Sequence, residues 1–400
     1  MQKSASKGLI ILLGALTAFA PMSIDMYLPS FPQLGQSLQA SPGAVQLSLA
    51  IFFIGLSVGQ AIYGPLSDHY GRRPLLLIGI SIYILASIGC SLATNIETLI
   101  AMRLLQALGG CAGVVLARAV VRDLFDYRTV ARVFSALMLV MGLAPILAPL
   151  LGGWVLTHYG WRAIFIILTL FGIACLLGVM FGLKESRPAA TAQPLHLGRT
   201  LRTYLSLLRD PLFMGYALAG GVSMAGMFAY ITGSPFVFIQ LYHVSPSHFG
   251  WLFGLNAAGF IVASQINARL LSRVSPEALL RVSLKGGALG GLALFVCAAT
   301  GFGGLPGFMV PLFCFIATLG FTNPNSTAGA LKHHGHQAGS AAALLGAFQF
   351  GIATVSGSAV GLLQDGTARP LAGVIAVATI IAFLAHARLI PRDPAANEPH

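Results

Sequence analysis

Charge is scarce in this sequence. Only 8% of its 400 residues are Asp, Glu, Lys or Arg, against about 25% in a soluble globular domain. Acidic residues are the rarest, 11 against 23 basic ones. With 56% hydrophobic residues and a mean hydropathy of +0.83, a water-soluble fold of this length is excluded. Cysteine is also sparse. Cys90, Cys111, Cys175, Cys297 and Cys314 all lie in apolar runs without metal-ligand spacing, so they read as small hydrophobes without disulfides. No Gly-x-x-x-x-Gly-Lys-(Ser/Thr) loop and no His-Glu-x-x-His pair occurs. The net charge of +12 does not point to nucleic acid, because the basic residues fall in short segments between apolar runs.

Those apolar runs predict an all-α polytopic membrane protein. A helix needs about 20 apolar residues to span a bilayer. Twelve segments qualify: 8–28, 45–66, 75–93, 98–119, 130–155, 162–183, 211–239, 248–270, 278–300, 306–330, 339–362 and 370–390. The first resembles a signal peptide ending at Ala18-Phe19-Ala20, but Pro21 disfavours cleavage and the run continues to Leu28, so an uncleaved span is expected. With both termini placed inside, 20 basic residues face inward, Arg162 and Arg369 face outward, and Arg103 lies within a span. The longest inward segment lies at the midpoint. The expected organisation is therefore a six-helix half over 1–183, a cytoplasmic linker over 184–210 and a second half over 211–400. Within the linker, Leu201 to Leu208 is expected to form a short surface helix.

Ten of the 11 acidic residues fall in loops or at span ends; the exception is Asp25 in "MSIDMYLP". Ionisable residues inside spans are expensive and face cavities or partners. Arg103, about one and a half turns into the fourth span, is expected at similar depth. An Asp25–Arg103 pair would act as a switch, opened by protonation of the carboxylate. A plain interfacial helix cap at Asp25 is the competing reading. Gln106, Asn256, Asn323 and Gln349 are polar candidates for a central cavity, and Met22, Tyr27, Met138, Met141, Phe228 and Tyr230 are candidates for its adaptable apolar wall. His333, His334 and His336 fall in "KHHGHQ", which reads as a solvated basic turn rather than a metal site.

Between the second and third spans runs "GPLSDHYGRRP". Gly64, Leu66, Ser67, Asp68, Gly71, Arg72 and Arg73 resemble the loop signature of the major facilitator superfamily, with His69 where Arg or Lys is usual. "RLLQALGG" from Arg103 resembles the fourth-span motif of its proton-coupled antiporters. "APLLGG" resembles the fifth-span exporter signature, with Ala148 replacing its first glycine and with Gly142, Pro145, Pro149, Gly152 and Gly153 close by. "IDMYLPSFP", "RAVVRDLF" and "NPNSTAGAL" resemble the branch that exports bicyclomycin and chloramphenicol.

The resemblance covers roughly residues 8–390. It implies a monomeric drug:proton antiporter of a bacterial inner membrane, driven by the proton gradient and without a cofactor. Carried over, Asp25 is the proton carrier and Arg103 its modulator. Gly64, Asp68, Gly71, Arg72, Arg73, Arg118 and Asp123 form a conformational latch. A proton-coupled nutrient importer shares the fold and is the main alternative. An intramembrane enzyme is more remote, because Asp25 has no second acid at its depth.

Overall fold

The computed structural model describes residues 7–125, 127–186, 197–332, 334 and 338–390. Among them every regular element is helical. Eleven helices are long and apolar enough to cross a membrane, and a bent pair at the start supplies the twelfth span.

The first span is not one helix. It comprises α1 (Lys7–Thr17), α2 (Phe19–Asp25), a 3-10 turn at Leu28–Ser30 and α3 (Phe31–Ser37). The break is 44°. Pro21 explains it: proline lacks the N–H that would bond the Thr17 carbonyl, and its ring clashes with that carbonyl. The expected uniform span over 8–28 is therefore corrected to a bent one that runs on to Ser37.

Five further spans follow: α4 (Pro42–Tyr70), α5 (Arg72–Ser91), α6 (Ile96–Leu124), α7 (Tyr127–Tyr159) and α8 (Trp161–Gly182). Local chemistry sets their ends. Ser41 caps α4 through the Ala44 N–H, and Asn95 caps α6 through the Thr98 N–H. α7 continues unbroken through Pro145 and Pro149. The turn from α4 to α5 rests on Gly71, at φ 93°.

After α9 (Leu197–Arg209) come α10 (Pro211–Pro235), α11 (Pro246–Leu270), α12 (Pro276–Thr300), α13 (Gly304–Leu331), α14 (Ala338–Leu362) and α15 (Arg369–Leu389). At Pro235 the α-helical geometry of α10 gives way to a π-helical stretch, Phe236–Leu241. Pro324 lies inside α13 without ending it.

The chain forms two compact units. One comprises residues up to Leu197 together with Ser245–Phe253; the other comprises Gly198–Val244 and Gly254 onward. In the first, α6 packs against α4 and α5, and α5 against α8. In the second, α10 packs against α13, α14 and α15, and α12 against α13 and α15.

Candidate functional site

The first unit buries a guanidinium. Arg103 on α6 is wholly inaccessible. Its Nη1 donates to the Ser23 carbonyl at 3.0 Å and to Gln106 Oε1 at 2.7 Å. The Ser23 carbonyl is one of the last four of α2, which have no partner within the helix; Arg103 supplies one. The guanidinium carbon lies 4.1 Å from the Phe52 ring centre and 4.5 Å from that of Tyr27, within cation–π range. Nε and Nη2 have no hydrogen-bond partner among the described residues.

A polar network extends from this charge. Gln106 Nε2 donates to Ser87 Oγ at 2.8 Å. Ser23 Oγ bonds the Tyr83 hydroxyl at 2.7 Å, and the Tyr27 hydroxyl bonds Ser48 Oγ at 2.7 Å. α2, α4, α5 and α6 are thereby tied together around one buried cation.

Asp25, the last residue of α2, is buried at 4% exposure. It forms no ion pair with Arg103 among the described residues. The expected pair is corrected on this point. Arg103 is turned instead toward the Ser23 carbonyl, Gln106 and two aromatic faces. The bond at Ser23 still places it two residues from Asp25 along the chain.

Met26, next to Asp25, meets α7. A Cβ added to Gly152 would collide with the Met26 carbonyl, so only glycine allows this approach. Gly153 lies beside the Pro246 carbonyl, within the stretch that groups with the first unit. The exporter-like motif on α7 therefore abuts the residue that follows Asp25.

The cavity candidates separate into two sets. In the first unit Tyr27 and Gln106 are fully buried and engaged as above, so they form the surroundings of Arg103 rather than an open wall. Met22 and Met141 are half-buried and Met138 is exposed. In the second unit Asn256 Nδ2 donates to the Tyr230 hydroxyl at 3.1 Å, while Asn256 Oδ1 is buried without a partner among the described residues. Gln349 Nε2 donates to Asn323 Oδ1 at 3.4 Å, and the Phe228 ring lies 5.5 Å from that of Phe350.

At the α4–α5 turn, Arg72 is almost fully buried and bridges two acids. Its Nη2 lies 2.8 Å from Asp68 Oδ1 and its Nε 2.9 Å from Asp123 Oδ2; Nη1 bonds Ser67 Oγ. Glu185 adds a clamp that motif spacing did not indicate. Its two oxygens accept the backbone N–H of Arg72 at 2.9 Å and of Arg73 at 3.0 Å. Ser186 Oγ donates to Asp123, and Arg73 Nη2 to the Met180 carbonyl. Two latch expectations are corrected. Arg118 is exposed and joins no ion pair among the described residues. Gly64 makes no tight contact among the described residues, since an added Cβ would meet none of them within 4 Å. In the second unit His334 pairs with Asp210 at 3.0 Å; His333 and His336 lie outside the described residues.

Sequence reasoning also missed Phe52, Phe165, Ser23, Tyr83 and Ser87 around Arg103. The aromatics look like any lipid-facing residue, and Ser23 meets Arg103 through its carbonyl, which leaves no mark in a sequence.

Comparison with known proteins follows the same lines. The chain matches the Major Facilitator Superfamily over residues 13–358. It is 39% identical to a Bacillus subtilis protein called uncharacterized MFS-type transporter YdgK, across 94% of each chain. It is 32% identical to the bicyclomycin resistance protein homolog of Haemophilus influenzae, across 96% of each. Among solved structures, a D-xylose-proton symporter superposes with a TM-score of 0.72 at 15% identity, covering 96% of this chain and 98% of that one. At that identity the likeness concerns the fold alone.

Proposed function

We propose that this chain, which belongs to the Major Facilitator Superfamily, exports small molecules in exchange for protons by alternating access. It is a multi-pass membrane transporter and not an enzyme. Export is supported by the relative named for bicyclomycin resistance and by the glycine motif of α7.

One observation carries the proton-coupled reading: the Asp25 carboxylate is buried at the end of α2 with no ion pair among the described residues. Gaining or losing a proton there breaks no salt bridge. The charge change acts on the end of α2, which Arg103 holds at Ser23 and α7 meets at Met26. Arg103 then modulates Asp25 through this shared backbone. Substrate and proton need only favour different states of one equilibrium. The basic-residue asymmetry supports cytoplasmic termini in a bacterial inner membrane, and the protein is taken to work as a monomer.

Inverted vesicles with an imposed proton gradient test this. Substrate addition is expected to release protons with the wild type and not with Asp25→Asn. Equal release from both would assign the proton to another group. Substrate movement in the opposite direction would favour the importer reading, to which the symporter fold is equally open.

A further inference from the structure

α9 presents a face that its own unit does not cover. Leu201, Leu205 and Leu208 are 59%, 45% and 41% exposed, whereas Leu207 is 1% exposed and sits in the core of the second unit with Phe213, Tyr216 and Leu280. At 3.6 residues per turn, the three exposed leucines fall within about 60° of one another. Arg202 and Arg209, both exposed, lie about 90° round the helix from that stripe. Apolar and basic faces are therefore adjacent, and the buried leucine anchors a third side.

The depth of this helix is fixed by its junction. One residue, Asp210, separates α9 from the membrane span α10. Asp210 Oδ1 accepts the N–H groups of Leu212 and Phe213 at 2.9 and 3.4 Å, its Oδ2 pairs with His334, and its backbone N–H bonds the Leu207 carbonyl at 3.1 Å. A corner held at so many points cannot swing α9 freely away from the start of the span. The end of α9 lies where the bilayer begins.

We propose that α9 docks on anionic phospholipid, with Leu201, Leu205 and Leu208 in the acyl boundary and Arg202 and Arg209 on headgroup phosphates. Charge complementarity selects this occupant: a leucine stripe flanked by arginines, at membrane depth, fits a negatively charged lipid surface. Only the choice of the cytoplasmic leaflet rests on the orientation proposed above; the docking itself does not.

Hydrogen exchange in the full-length protein tests the proposal without any transport measurement. A 13-residue helix is marginal in water by itself, so docking should slow its amide exchange. The probes are nanodiscs of zwitterionic lipid and nanodiscs containing phosphatidylglycerol. Each arginine near an anionic surface is worth about fivefold in affinity. Wild-type α9 is therefore expected to exchange at least tenfold more slowly in the anionic discs. The double variant Arg202→Gln/Arg209→Gln is expected to lose that difference. Leu201→Gln/Leu205→Gln is expected to exchange fast in both, with α12 unchanged throughout as a control of the fold. Equal α9 exchange of the wild type in the two discs would overturn the proposal. So would protection that appears only on concentrating the protein or adding cytosol, which would indicate a second copy or a protein partner.

Discussion

Gly71 at the α4–α5 turn and Gly64 inside α4 should respond differently to alanine. Gly71 has φ 93° and ψ 163°, a region that is essentially glycine-only and costs any other residue about 1–3 kcal/mol. Its added Cβ would stand 2.7 Å from Glu185 Oε2. Glu185 is a flexible side chain and would move, but moving gives up its bonds to the Arg72 and Arg73 N–H groups. Bonds to a charged group are worth about 1.5–3 kcal/mol each. Glu185 is exposed, so solvent replaces much of this and about 1–2 kcal/mol for the pair is reasonable. Gly71→Ala should therefore cost about 2–5 kcal/mol. At Gly64 the added Cβ meets none of the described residues within 4 Å. Alanine gains about 0.5–1 kcal/mol in a helix interior, and the clash between a Cβ and the following Pro65 ring takes some of that back. Gly64→Ala should stay within about 1 kcal/mol of the wild type.

Thermal unfolding of the purified protein, followed by tryptophan fluorescence, separates these cases. Gly71→Ala should lower Tm by several degrees and Gly64→Ala should barely move it. A third measurement isolates the clamp. If the alanine methyl acts partly by displacing Glu185, then Gly71→Ala and Glu185→Ala must be less than additive when combined. Equal stability of the two glycine variants, or strict additivity with Glu185→Ala, would refute the reasoning.

Gly152→Ala should separate α7 from the Met26 backbone, giving a protein that inserts normally but transports at least tenfold more slowly in the vesicle assay; wild-type rates would show that the contact is dispensable. Arg103→Lys keeps the charge but loses the planar stack on Phe52 and Tyr27 and cannot reproduce the paired bonds from Nη1. It should lower proton-coupled transport nearly as far as Arg103→Gln, and full activity in the lysine variant would show that charge alone suffices.

The spans were legible because long apolar runs have few alternatives in a chain with so little charge. The bend in the first span was visible only as Pro21, a residue whose sequence context spoke equally to cleavage. Rise per residue put Asp25 and Arg103 at similar depth, and Arg103 bonds the carbonyl of Ser23, two residues before Asp25, but depth along a helix says nothing of the azimuth of a side chain. Arg103 found Gln106, three residues on and hence on its own face, and then a backbone carbonyl. Glu185 was beyond reach for another reason. It caps N–H groups more than 100 residues earlier in the chain, and no local spacing encodes such a contact.

Ala148 is a departure in the sequence that the structure accommodates. It departs from the exporter signature at that motif's first glycine, which weakened the resemblance where export is distinguished from import. Ala148 is fully buried, and its methyl is accommodated. Gly152 and Gly153 both leave no room for a Cβ, and at Gly152, one turn further along α7, the Met26 carbonyl takes that space. Of the two glycines retained, Gly152 is the one whose absence would push α7 off the backbone beside Asp25. Among the described residues the Asp25 side chain has no hydrogen bond or ion pair, and its neighbours hold it in place, Ser23 fixed by Arg103 and Met26 packed on α7. A tilt of α7 must displace Met26 or open a gap against it, and either event reaches the carboxylate within one residue. The substitution at Ala148 leaves that route intact.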